Sequence, residues 1–139
     1  MAGYSGTPLI KKLGIKDAFD VSFVNAPPNF VKQLELPAGV KVKTIPRSND
    51  LDFIHVFVKT QTALTTAFTQ CPRKMKPNGM LWISWPKKSS GVQTDVTENI
   101  VRNIGLAAGL VDVKICAVDE VWSGLKFVYR VKDRPNLAR

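Results

Sequence analysis

The stretch Pro77–Leu110 reads PNGMLWISWPKKSSGVQTDVTENIVRNIGLAAGL. A proline–glycine turn feeds an apolar run, Met80–Trp85, and a doubly basic loop follows, Lys87-Lys88-Ser89-Ser90-Gly91. An amphipathic segment then runs to Gly109. Asp95 followed by Glu98 has the spacing of a capping box, so Asp95 is the expected N-cap. Val96, Ile100, Val101, Ile104, Ala107 and Ala108 recur at helical spacing and form the expected buried stripe. Strand, loop and helix in this order form the repeating unit of an open α/β sheet. In such a sheet, ligands bind just beyond the carboxyl ends of the strands.

Upstream, Leu51–Val58 (LDFIHVFV) is almost continuously apolar, as strands buried on both faces are. It is expected at the centre of the sheet, with His55 as a core histidine bonded to backbone. Asp20–Asn25 is a shorter β-prone run ending at Asn25-Ala26-Pro27-Pro28. Asn29–Glu35 reads as a short helix, and Val40–Ile45 alternates valine and lysine like an edge strand. Thr7-Pro8 can open a first helix, with Thr7 as N-cap and Gly14 as its left-handed stop. Gln61–Cys71 has Leu64, Ala67 and Phe68 on one helical face, and Pro72 starts a further short turn. Val111–Val118 and Leu125–Val131 are joined by a short connection containing Trp122, so they are expected to pair antiparallel. The expected fold is therefore α/β: a single open, mostly parallel sheet with helices on both faces and a C-terminal antiparallel hairpin.

The chain has 139 residues, the size of one domain, with Met1–Gly6 read as a flexible arm and Lys132–Arg139 as a frayed tail. An apolar share of 45% is ordinary for a globular chain and argues against wholesale disorder. No apolar run has the length of a membrane span, and Met1–Thr7 has no signal-peptide pattern, so a cytoplasmic location is expected. Two distant cysteines, Cys71 and Cys116, and a single histidine do not supply a zinc site, so no metal is expected. A net charge of +9 suits anionic partners. The basic residues are spread along the chain, so nucleic-acid binding, if present, is expected to lack sequence specificity.

At the predicted strand ends lie Asn25, Lys59, Lys87, Lys88, Ser89 and Ser90, with Trp85 nearby as a stacking face. Cations supply charge and the serines supply donors, which makes this set a candidate lip for an anionic small molecule or nucleotide. The other reading is a solvated loop whose lysines serve solubility. Trp122 is a candidate anchor for a protein partner, or folds back over the sheet. The sequence holds neither a P-loop nor a nucleophile–base–acid set, so no catalytic residue is assigned.

Two resemblances attach to these segments. Leu51–Val58, Lys76-Pro77-Asn78-Gly79, Ala108-Gly109-Leu110 and Val111–Val131 resemble the second half of class I methyltransferases, which implies a truncated Rossmann-type topology. GYSGTPLIKKLGIK, Val24-Asn25-Ala26-Pro27, WISWPKKSSGVQTDVTE and LVDVKICAVDEVWSGLKFV resemble a small bacterial family known only as a domain of unknown function. The methyltransferase resemblance implies a glycine-rich turn after the first strand, holding S-adenosylmethionine. It also implies an acidic residue at the end of the second strand, gripping the ribose. Here those places read Asn25-Ala26-Pro27-Pro28-Asn29 and Ile45-Pro46-Arg47, so no cofactor is expected. The leading expectation is a non-catalytic binding or interaction protein for an anionic ligand or partner. The alternatives are a divergent S-adenosylmethionine-dependent methyltransferase and a weak nucleic-acid-binding protein.

Overall fold

Two apolar runs, Leu51–Phe57 and Met75–Pro86, lie side by side and parallel at the centre of a six-stranded sheet. The computed structural model describes residues 8–45 and 50–136. Along the chain these form α1 (Leu9–Leu13), β1 (Asp20–Val24), α2 (Phe30–Gln33), β2 (Lys41–Val42), β3 (Leu51–Phe57), α3 (Gln61–Gln70), β4 (Met75–Pro86), α4 (Glu98–Ala107), β5 (Leu110–Ala117) and β6 (Trp122–Tyr129). Short 3-10 turns follow α3, β4 and β6, at Pro72–Lys74, Lys88–Ser90 and Val131–Asn136. The strand order is β2-β1-β3-β4-β6-β5. Pairings among the first four strands are parallel, and β6 is antiparallel to both β4 and β5. This is the mostly parallel α/β sheet with an antiparallel end that the alternation of elements predicts.

Each face of the sheet has its own core. Leu64, Ala67 and Phe68 of α3 and Val101 of α4 cover Ile54, Val56, Leu81, Ile83 and Trp85. On the other face, Leu13 of α1 and Phe30 of α2 cover Val21, Phe53, Phe57, Trp82 and Trp122. Parity along the strands produces this division, because successive side chains of a strand point to opposite faces.

Several local expectations are corrected by packing. Asp95 does not cap α4. Thr97 does, its hydroxyl accepting from the Ile100 N–H at 3.3 Å. Asp95 instead accepts from the Gln61 N–H at 2.9 Å, at the start of α3. Lys76–Gly79 is not a turn before β4 but part of that strand, which starts at Met75 paired with Leu51. Only Lys41–Val42 of the expected edge strand forms a ladder. Trp122 is the first residue of β6 rather than part of the connection, and it is buried against Phe57 with ring centroids 5.1 Å apart. Gly14 closes α1 at φ +84° as expected, while Thr7 and the arm Met1–Gly6 lie outside the described residues. No helix among the described residues is long and apolar enough to cross a membrane.

Candidate functional site

From β1 the chain moves outward to β2, then returns to place β3 on the other side of β1. The connections leaving β1 and β3 therefore diverge, and a crevice opens between them at the carboxyl ends of the strands. A cleft of about 610 Å³ lies there. Its walls are Asn25–Pro28 after β1, Phe57–Thr60 after β3, Ala63 of α3, Val92 after β4, and Val121 and Trp122 at the hairpin.

Local chemistry explains this shape. Asn25 takes φ +58°, a left-handed turn that asparagine tolerates better than most residues. Pro27 and Pro28 stiffen the exit from β1 and contribute no N–H donors. The loop after β4 folds back onto the end of β3. The Thr94 hydroxyl donates to the Lys59 carbonyl at 2.7 Å, and the Gln61 amide donates to the Asp95 carbonyl at 2.8 Å. Asp119 closes the hairpin by accepting from the Val121 and Trp122 N–H groups, both at 2.8 Å.

The cleft is apolar with a thin polar rim. Pro27, Pro28, Phe57, Val58, Ala63, Val92 and Trp122 offer flat, dry surface, while Asn25, Lys59 and Thr60 carry the polar groups. Thr60 Oγ1 accepts from the Ala63 N–H at 3.1 Å and keeps its own proton free to donate. Among the described residues no carboxylate lines the cleft. Such a site can bind a planar ring with a polar or anionic attachment.

Of the residues singled out from sequence, Asn25 and Lys59 meet in this cleft. Lys87, Lys88, Ser89 and Ser90 form the turn at the end of β4 and do not line it. Ser90 Oγ donates to the Lys87 carbonyl at 2.6 Å and accepts from the Val92 N–H at 3.2 Å, so it holds the turn in shape. Trp85 is buried on the α3–α4 side, 5% exposed, and offers no open stacking face. Sequence reading missed Thr60, Ala63, Val92 and Val121 as walls, because small and aliphatic loop residues leave no chemical signature. Trp122 stood out only as a possible anchor for a partner.

His55 lies outside the cleft and is fully buried. Its Nε2 is 2.7 Å from Ser84 Oγ, a side-chain partner where a backbone one was expected. Burial pushes its pKa down to about 3, so the imidazole is neutral at pH 7. Cut off from solvent, the pair cannot serve as nucleophile and base. Among the described residues no cluster of His, Cys, Asp and Glu could hold a metal ion.

Solved structures share this architecture. A SAM-dependent methyltransferase from Aquifex aeolicus matches at 17% identity and a TM-score of 0.66, over 86% of each chain. A ribosomal protein L11 methylase from Lactobacillus delbrueckii subsp. bulgaricus matches at 9% identity and 0.60, over 88% of this chain and 75% of the other. Fibrillarin from Aeropyrum pernix, solved with natively bound S-adenosyl-L-methionine, matches at 11% and 0.56, over 84% and 69%. At these identities the likeness establishes a methyltransferase-like Rossmann fold. No family model matches the chain, which leaves the expected resemblance to a small bacterial family without support, and no curated protein matches it in sequence.

The cofactor grip implied by that fold fits this cleft in one respect and departs from it in another. Asn25 takes a positive φ, a conformation glycine would otherwise supply, while Pro27 and Pro28 still withhold two N–H donors. Among the described residues the cleft lining holds no counterpart of the ribose carboxylate. Beyond β2 stand Lys43, Thr44 and Ile45, and Lys43 reaches back to Asp20 at 3.2 Å, at the opposite end of β1.

Proposed function

We propose that this chain is a divergent S-adenosylmethionine-dependent methyltransferase whose switch-point cleft takes the adenosyl group. The observation that carries the reading is the cleft itself, apolar-walled and set at the diverging ends of β1 and β3 in a methyltransferase-like sheet. When bound, S-adenosylmethionine supplies an electrophilic methyl group. Pro27, Pro28, Phe57 and Trp122 would exclude water from the adenine, Asn25 and Thr60 would meet its polar edges, and Lys59 would pair with the methionyl carboxylate. The missing ribose carboxylate predicts weaker binding than the fold normally supports.

A second reading is favoured by that same absence. A cleft with Lys59 and no carboxylate suits an anionic nucleotide better than a ligand carrying a sulfonium and an ammonium, and it needs no catalysis. Calorimetric titration with S-adenosylmethionine, S-adenosylhomocysteine, AMP and ATP separates the two. Micromolar binding of the adenosyl–sulfur ligands, abolished by Ala63→Trp, is the expected result. Binding of AMP or ATP alone selects the second reading, and binding of none rejects both.

A further inference from the structure

A separate face of the molecule gathers lysines. β5 carries a bulge at Val113: Asp112 opposes Phe127, while Lys114 opposes Lys126. One extra residue reverses the parity of the strand beyond it. Asp112 thus stays on the α4 side, bonded to Arg102 Nε at 2.9 Å, and Lys114 is re-aimed to the α1 side, where its Nζ donates to the Lys12 carbonyl at 3.0 Å. Lys126 is on that side too, its Nζ 4.0 Å from where a Cβ on Gly14 would stand. Burial lowers the Lys126 pKa, and Lys114 and Lys16 lower it further. Among the described residues no carboxylate pairs with Lys16, Lys114 or Lys126.

From this arrangement we infer that Lys16, Lys114 and Lys126 form a docking face for the phosphodiester backbone of a nucleic acid. A protein partner would be expected to need an apolar or aromatic anchor at the centre of its interface. Of the exposed large apolar side chains among the described residues none is aromatic. Ile115 pairs with Leu125 on the α3–α4 side, Val113 alone stands at the bulge beside the lysines, and Leu9, Ile10 and Leu13 of α1 pack inward. The same inward packing removes the apolar face that a helix needs to enter a lipid surface. Phosphates, by contrast, are bound by charge alone. Without exposed rings among the described residues to stack on bases, the face reads backbone and not sequence. The inference does not depend on what fills the cleft.

Fluorescence anisotropy with a labelled duplex, and with a single strand of the same sequence, tests it across a salt series. Contact with three phosphates gives a slope of log K against log salt of about −2.7 on the duplex. K16Q/K114Q/K126Q should bind at least about ten-fold more weakly and flatten the slope toward zero. Its melting temperature, measured alongside, should match the parent, and K114Q alone should show an intermediate slope if the triple variant is unstable. K32Q/K41Q/K132Q removes the same charge from elsewhere and should leave the slope in place. Equal loss in both triple variants, no duplex or single-strand binding by the parent, or binding only to phosphatidylserine vesicles would each overturn the assignment.

Discussion

The face under α3 and α4 and the face under α1 and α2 bury the same sheet by different means. Above the first lie two ten-residue helices, each opened by a threonine whose hydroxyl accepts a backbone N–H. Their stripes meet mostly aliphatic strand residues, and at Gly105 the helix comes so close that an added Cβ would lie 2.2 Å from the Phe127 ring. Above the second lie helices of only five and four residues. Short helices cover little area, and rings fill what they leave open. Phe30 packs edge-on to Phe57, His55 stacks on Phe57 at 4.2 Å, and the Trp82 indole donates to the Leu13 carbonyl at 2.9 Å. The difference shows that regular secondary structure can be replaced as a cover by a few large side chains, each of which then matters more.

The largest test of that statement is Trp82→Ala. Loss of a fully buried indole that also anchors α1 should cost about 3–5 kcal/mol. Leu64→Ala, on the helix-covered face, should cost less, because α3 keeps its Thr60 cap and its Ala67 and Phe68 contacts. Urea denaturation of both variants decides, and equal losses would erase the contrast between the faces.

Acid should also act on one face only. The folded His55 binds a proton near pH 3 and the unfolded one near 6.5, so the unfolded chain holds more protons between these values. Its contribution is fully present above pH 6.5 and is lost as pH falls toward 3, by about 2 kcal/mol at pH 5. Cys71, on the other face, is raised to about 11 by burial and stays neutral throughout this window. Denaturation midpoints at pH 7 and pH 5 should converge in His55→Gln. A parent protein with no such slope would remove His55 as the cause.

The smallest effects lie at the ends of the strands. Asp95→Ala frees the Gln61 N–H and should cost about 1 kcal/mol, within the usual range for a lost cap. Replacing both Lys87 and Lys88 with alanine should change stability by less than about 0.5 kcal/mol, because the turn is held by Ser90 and by backbone. Thermal melts of the two variants rank them, and a reversed order would mean that the lysine turn, and not Asp95, locks the loop after β4 to α3.

Much of the fold was legible because its signals are local. The run Leu51–Phe57 marks a strand buried on both sides, and the stripe through Val101 marks a helix. Gly14 and Gly109 take positive φ where the chain must stop, at +84° and +93°. The candidate site was legible only at Asn25 and Lys59, which lie where strands visibly end. Trp85 and Ser90 carry suitable chemistry, but one faces the core and the other is engaged in its own turn.

The sequence by itself determined the alternation of strands and helices, the antiparallel end and the positions of the stops, since periodicity and dihedral preference are properties of neighbouring residues. Tertiary structure alone decided which helix Asp95 serves and which residues wall the cleft. It also decided which way Lys114 points. Asp95 and Thr97 are both favourable N-cap residues, and α3 claims Asp95 only because the loop after β4 returns to Lys59 across 35 residues of chain. The bulge at Val113 depends on β5 pairing with β6, and a one-residue change of register leaves no mark in composition while sending every later side chain to the opposite face.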